Sequence, residues 1–156
     1  MIALSESKLA NSSCPQIKSM DSRSVWTSPK RILVIDDEED IREVTKLCLE
    51  IMGGWEVSTA DSGRQGLALA AAEQPDAIIL DLMMPELDGV ATLSRLQANP
   101  TTEHIPVIFL TAHIQASNRR GFSHLGVAAV IPKPFDPIAL PSQVARILGW
   151  SQSGYR

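Results

Sequence analysis

Aromatic residues are scarce in this chain: three Trp, three Phe and one Tyr among 156 residues. Any core is therefore aliphatic, built from Leu, Ile, Val and Ala. Cysteine is scarcer still. Cys14 and Cys48 alone do not make a disulfide scaffold, and such usage suits a reducing compartment. No apolar run reaches the roughly 18–20 residues of a membrane span. The N-terminus has no basic stretch leading into an apolar one, so it does not read as a signal peptide. These absences point to the cytoplasm, with no membrane partner. Positive charge is short as well. Residues 1–30 hold four basic and two acidic side chains, whereas 31–156 hold ten basic and sixteen acidic, for −4 overall. An acidic body is a poor nucleic-acid binder, because neutralising phosphates needs clustered Lys and Arg.

What is present divides at about residue 30. Residues 1–30 are rich in serine and lack a sustained apolar period, which reads as a flexible tail. Met20 within it could be the true start, and Trp26 could pack back on the body. From Arg31 apolar segments alternate in kind. Ile32–Ile35 is a continuous apolar run. Ile41, Val44, Leu47, Cys48 and Ile51 recur at helical spacing, and Gly53-Gly54 supply a stop. Trp55–Ser58 alternates apolar and polar. Ser62 and Gln65 form a capping-box pair ahead of Leu67, Ala70 and Ala71. Ala77–Leu80 is apolar again, a helix follows Gly89 as far as Asn99-Pro100, and Pro106–Leu110 is the fourth apolar run. A helix from about Ile114 to Leu125, a fifth strand over Val127–Ile131 and a last helix ending at Gly149 complete the pattern. The last helix starts either at Asp136-Pro137 or near Leu140, since Pro141 would break a bond in the longer version.

Strand and helix thus alternate five times. That argues for a parallel α/β sheet with helices on both faces. Continuous apolar strands are those buried on both sides. The second strand, with polar Glu56 and Ser58, belongs at an edge, which is what the flavodoxin-like order 2-1-3-4-5 requires. The expected division is a tail (1–30), one domain (31–149) and a short C-terminal tail (150–156). Ligands of such sheets bind beyond the carboxyl ends of the strands. There the chain places Asp36 and Asp37 after strand one, Asp81 after strand three, Thr111 after strand four and Lys133 after strand five. Crowded carboxylates repel and need cations. Lys133 supplies one charge, and all-oxygen ligands suit Mg²⁺ or Mn²⁺ as the second source. No His or Cys at the strand ends suggests zinc. A metal, an ammonium and a hydroxyl around a carboxylate make a phosphoryl site, with the middle carboxylate placed to attack phosphorus.

Ile32–Glu38 (ILVIDDE), Ile78–Gly89 (IILDLMMPELDG), Val107–Ala112 (VIFLTA) and Pro132–Phe135 (PKPF) resemble the response-regulator receiver domain of two-component signalling. The resemblance covers Arg31 to about Gly149. It implies that Asp81 is the phosphoacceptor, forming an aspartyl phosphate. It implies that Asp37 and Asp81 bind Mg²⁺ through carboxylates, Asp36 mainly through water, and Met83 through its backbone carbonyl. Thr111 would donate its hydroxyl to the phosphoryl group and Lys133 would pair with a phosphoryl oxygen. The Lys133–Pro134 bond is expected to be cis. The donor would be a phosphohistidine on a sensor histidine kinase or a phosphotransfer protein. Phosphorylation would draw Thr111 inward and bias the face made by helix four (Ile114–Leu125), strand five and helix five, where a downstream protein docks. The aromatic residue that often reports this switch in strand five is here Val130, so that part of the family mechanism does not carry over.

Some residues have plainer readings. Glu38, Glu39 and Asp40 read as a solvated helix start. Asp88 reads as a loop or cap residue, Asp61 and Asp136 as caps, Asp76 as a structural or solvated residue at the opposite sheet edge, and His104 and His124 as surface or turn residues. Cys48 reads as core on the apolar stripe of helix one. Arg119 and Arg120 are too few for a nucleic-acid patch. His113 and Met83 stand near the mouth of the site, where the family tunes the lifetime of the phosphoryl group. His113→Ala and Met83→Asn are expected to shed phosphate faster, measured as decay of the labelled protein. The expected function is a stand-alone receiver that takes a phosphoryl group on Asp81 and signals by docking, with no DNA-binding or enzymatic output. It catalyses only its own phosphorylation and dephosphorylation. One alternative is a non-phosphorylated pseudo-receiver acting as an interaction module, although none of its acidic or lysine positions is lost. Another is an aspartyl-phosphate phosphatase of the haloacid-dehalogenase type, which wants a second Asp where Met83 stands.

Overall fold

The computed structural model describes residues 29–112, 122 and 124–150. Five parallel strands form one sheet: β1 (Arg31–Ile35), β2 (Glu56–Ala60), β3 (Ala77–Asp81), β4 (Val107–Thr111) and β5 (Ala129–Pro132), in the order β2-β1-β3-β4-β5. The described helices are α1 (Glu39–Ile51), α2 (Gly63–Glu73), α3 (Gly89–Ala98) and α4 (Leu140–Leu148). Most of the expected 114–125 helix lies outside the described residues, as do Cys14, Met20, Trp26, His113, Arg119 and Arg120.

The continuous apolar strands serve two faces because successive side chains alternate across a strand. Leu33, Ile35, Ile78, Leu80 and Phe109 point to one side, where they pack on Ala70 of α2 and on Leu93 and Leu96 of α3. Ile32, Val34, Ile79, Ile108, Leu110 and Ile131 point to the other, against Leu49 of α1 and Leu140 and Val144 of α4. Burying each such side chain stabilises the fold by about 1.5–3 kcal/mol. Among the described residues, two pairs of the scarce aromatics meet edge to face. Trp55 meets Trp150 with centroids 5.3 Å apart, and Phe109 meets Phe122 at 5.8 Å.

Helix α1 corrects the sequence reading. It buries Thr45 and Leu49, leaves Cys48 half-buried, and exposes Val44, Leu47 and Ile51. Its inward face is the row 41/45/49, not 44/47/51. The polar inward residue hid this row: Thr45 is fully buried and donates its hydroxyl to the Ile41 carbonyl at 2.6 Å. Cys48 is therefore not core. At α2 the N-cap is Ser62, not Asp61. Ser62 accepts from the Gln65 backbone, while the Gln65 amide oxygen accepts from the Asp61 N–H, one residue earlier than a regular capping box. Asp88 caps α3 through the Ala91 N–H, and Asp76 accepts from the Arg31 N–H at the far edge. Helix α4 starts at Leu140 with Pro141 in its first turn; Asp136 closes the preceding turn through the Ile138 N–H and does not cap the helix. Strand β5 begins at Ala129, two residues later than its apolar run suggests.

Gly89 places α3 against the end of β3. A Cβ there would stand 2.6 Å from the Asp81 carbonyl oxygen and 2.7 Å from the Leu82 Cα, both backbone atoms that cannot swing away. Gly89→Ala is expected to cost about 1–3 kcal/mol, as overpacking does, read from denaturant midpoints.

Candidate functional site

The carboxyl ends of β1, β3, β4 and β5 meet at one edge because the strands are parallel and in register. Asp81 pairs with Leu110 across β3–β4, and Thr111 with Pro132 across β4–β5. The Thr111 carbonyl accepts from the Lys133 N–H at 2.8 Å. The Lys133–Pro134 peptide bond is cis.

Lys133 is the hub. Its Nζ lies 3.0 Å from Asp36 Oδ2, 3.2 Å from Glu38 Oε1 and 3.4 Å from Asp81 Oδ1. Asp36 is wholly buried, Asp81 nearly so, and Thr111 is buried at the end of β4. Asp36 Oδ1 accepts from the Glu38 N–H at 2.9 Å, and Asp81 Oδ1 from the Met83 N–H at 3.4 Å. A cavity of about 340 Å³ opens over these groups, lined by Asp37, Glu38, Asp81, Met83, Ala112 and Lys133.

The electrostatics follow from crowding. Burial pushes the Asp81 carboxyl up to about 6, and the neighbouring Asp36 charge adds to the rise; Lys133 only partly offsets them. For Lys133 burial acts downward, but its hydrogen bond and attraction to Asp36, then Asp81 and Glu38, outweigh it and raise the group above its ordinary value. One ammonium thus faces more carboxylate charge than it can balance. Carboxylate oxygens of Asp36, Glu38 and Asp81 lie within 4.8 Å of one another, an all-oxygen set that fits a hard divalent cation such as Mg²⁺.

The sequence-derived residues mostly converge here: Asp36, Asp37, Asp81, Met83 and Lys133 surround or line the cavity, with Thr111 buried beside it. Asp37 is exposed, and its carboxylate is not one of the three that cluster. Glu38 is the residue that sequence reasoning missed. Far from being only a solvated helix start, it turns its carboxylate to Lys133. The acidic run Asp36–Asp40 carried the signal, but nothing in it told which member would turn inward. Met83 is 61% exposed at the cavity rim. Val130 is half-buried, stands opposite Phe109 in the register and packs on the α2–α3 side of the sheet. Among the described residues His104 and His124 are exposed and away from the cavity lining.

The model of the response regulator receiver domain matches residues 32–145. Over 119 residues the chain is 39% identical to the response regulator MprA of Mycolicibacterium vanbaalenii, covering 76% of this chain and 49% of that protein. It is 40% identical to the DNA-binding dual master transcriptional regulator RpaA of Synechocystis, covering 76% and 48%. The chain therefore spans about half the length of these relatives. The chemotaxis protein CheY4 of Vibrio cholerae superposes with a TM-score of 0.71 at 28% identity, over 77% of this chain and 99% of that one. A CheY-like receiver domain protein from Methanospirillum hungatei gives 0.70 at 29%, over 78% and 95%.

Proposed function

The chain belongs to the response regulator receiver domain family, a signalling family of two-component systems, and from that premise we propose that Asp81 is its phosphoacceptor. The donor is a phosphohistidine on a sensor histidine kinase or a phosphotransfer protein. One Asp81 carboxylate oxygen attacks phosphorus, the P–N bond breaks, and the histidine imidazole leaves with the bonding electron pair and takes a proton. The product is an acyl phosphate, which water later hydrolyses. The observation that carries this reading is Lys133: an ammonium 3.4 Å from Asp81 and 3.0 Å from Asp36, at the carboxyl edge of the sheet.

Each residue then has a task. Asp81 supplies the nucleophile. Lys133 pairs with a phosphoryl oxygen. Thr111 donates its hydroxyl to another, which draws the loop after β4 inward. Asp37 and Asp81, with Asp36 mainly through water and the Met83 backbone carbonyl, would hold Mg²⁺, which would supply positive charge beside the phosphoryl group. The output is a change in the surface that includes β5 and α4, offered to a downstream protein. With Val130 where many receivers have an aromatic residue, this coupling runs without a ring swinging behind Thr111.

The test is uptake of one phosphoryl group from acetyl phosphate, followed by intact mass. Uptake is expected with Mg²⁺ and is expected to vanish when a chelator removes the metal. No uptake from acetyl phosphate or from any histidine kinase of the host would sink the reading.

A further inference from the structure

Glu38 has a place in this site that its exposure conceals. It is the N-cap residue of α1, yet its side chain makes no capping hydrogen bond. Its own N–H is donated to Asp36 Oδ1 at 2.9 Å. Its carboxylate reaches Lys133 across 95 residues of sequence, at 3.2 Å.

An ammonium has three N–H donors. Lys133 faces three carboxylates, at 3.0 Å for Asp36, 3.2 Å for Glu38 and 3.4 Å for Asp81. The two shorter contacts go to residues that do not carry the phosphoryl group. A phosphoryl group on Asp81 draws Lys133 away from these two shorter contacts, and the one that yields more readily lengthens. Asp36 is fully buried, out of reach of bulk solvent. Glu38, with a side chain 62% exposed, rehydrates when released. Its hold is also the weaker of the two, because solvent on the Glu38 side screens the pair.

We propose that Glu38 is a positioning residue that parks Lys133 between phosphorylation events and sets how much Mg²⁺ the site needs. The proposal rests on Asp81 as phosphoacceptor. Without a phosphoryl group Glu38 shares the ammonium with Asp36. When the group arrives, Glu38 gives the ammonium up. Its carboxylate also stands in the same cluster as those of Asp36 and Asp81. There it draws a divalent cation in and repels an anionic phosphoryl donor. Removing its charge should weaken the first effect and relieve the second, in opposite directions on two different measurements.

The experiment compares the full chain with Glu38→Gln, which keeps the shape and loses the charge, and Glu38→Asp, which keeps the charge. Mg²⁺ binding is measured by calorimetry on protein that has seen no donor. Labelling by acetyl phosphate is timed at saturating Mg²⁺. For E38Q the Mg²⁺ dissociation constant is expected to rise about two- to fivefold and the labelling rate to rise by a similar factor. Both differences should shrink at high ionic strength, as they do for an exposed charge, and Glu38→Asp should restore wild-type Mg²⁺ affinity. E38Q protein that binds Mg²⁺ and labels as wild type does would overturn the proposal. Wild-type protein that binds Mg²⁺ but takes up no phosphoryl group would overturn the phosphoacceptor reading instead, while the calorimetry still judges the effect of Glu38 on metal binding.

Discussion

Asp81→Asn is expected to take up no phosphoryl group and yet to be the more stable protein. The amide has no carboxylate oxygen to attack phosphorus, so labelling should fall to background under conditions that saturate the wild type. Stability moves the other way because the native charge is held at a cost. Asp81 is raised from 3.8 to about 6, first by burial and then by Asp36. The folded form therefore holds the proton more tightly than the unfolded chain does. The stability contributed by this group is intact below about pH 4 and is lost as the pH rises through about 6. A shift of that size corresponds to about 3 kcal/mol at full strength, and solvent at the open cavity mouth screens it to about 1–2 kcal/mol at pH 7. Urea unfolding of both proteins from pH 4 to pH 8, without divalent metal, should show the curves parting between pH 4 and 6 with the variant above. Mg²⁺ should narrow the gap by stabilising the charged wild-type site alone. Curves that coincide at every pH would contradict the account.

The fold was legible because its signals were redundant. Five apolar segments alternated with helical ones, and only β2 carried Glu56 and Ser58 in a strand, which put it at the edge. The strand-end residues were legible for the same reason: in a parallel sheet every carboxyl end lies on one side, so Asp36, Asp81, Thr111 and Lys133 had to come together. What escaped was set by tertiary packing. Hydrophobic periodicity in α1 pointed to Val44, Leu47 and Ile51, but the sheet takes the row that includes Thr45, whose hydroxyl is satisfied within its own helix. Charge pattern could not separate Asp37 from Glu38 either. Adjacent residues at a strand-to-helix turn point in different directions, and of the two it is the Glu38 carboxylate that faces Lys133.

Lys133→Ala is expected to cost about 3–5 kcal/mol, the range found when one partner of a buried ion pair is removed. Asp36 is the reason. It is wholly buried and its Oδ2 has the Lys133 ammonium at 3.0 Å, with a lysine side chain only 11% exposed. Without that ammonium, a buried carboxylate faces Asp81 with no positive charge between them. The upward shift of Lys133 says the same from its side: its carboxylate neighbours favour the charged form more than burial disfavours it. Its contribution is present below its ordinary value of 10.5 and is lost only as the pH rises through the still higher folded value. The penalty in the variant should be largest near pH 7. It should shrink as the pH falls, because Asp81, no longer held down by Lys133, takes up its proton more readily in the variant and one source of repulsion disappears. A double-mutant cycle separates charge pairing from packing. Lys133→Met keeps most of the stem and should lose nearly as much as Lys133→Ala. Adding Asp36→Asn to either should recover much of the loss, because the amide does not need the ammonium. A single variant that loses under about 1 kcal/mol, or a double variant that recovers nothing, would mean that the edge of the sheet is held by packing and that the ion pair is incidental.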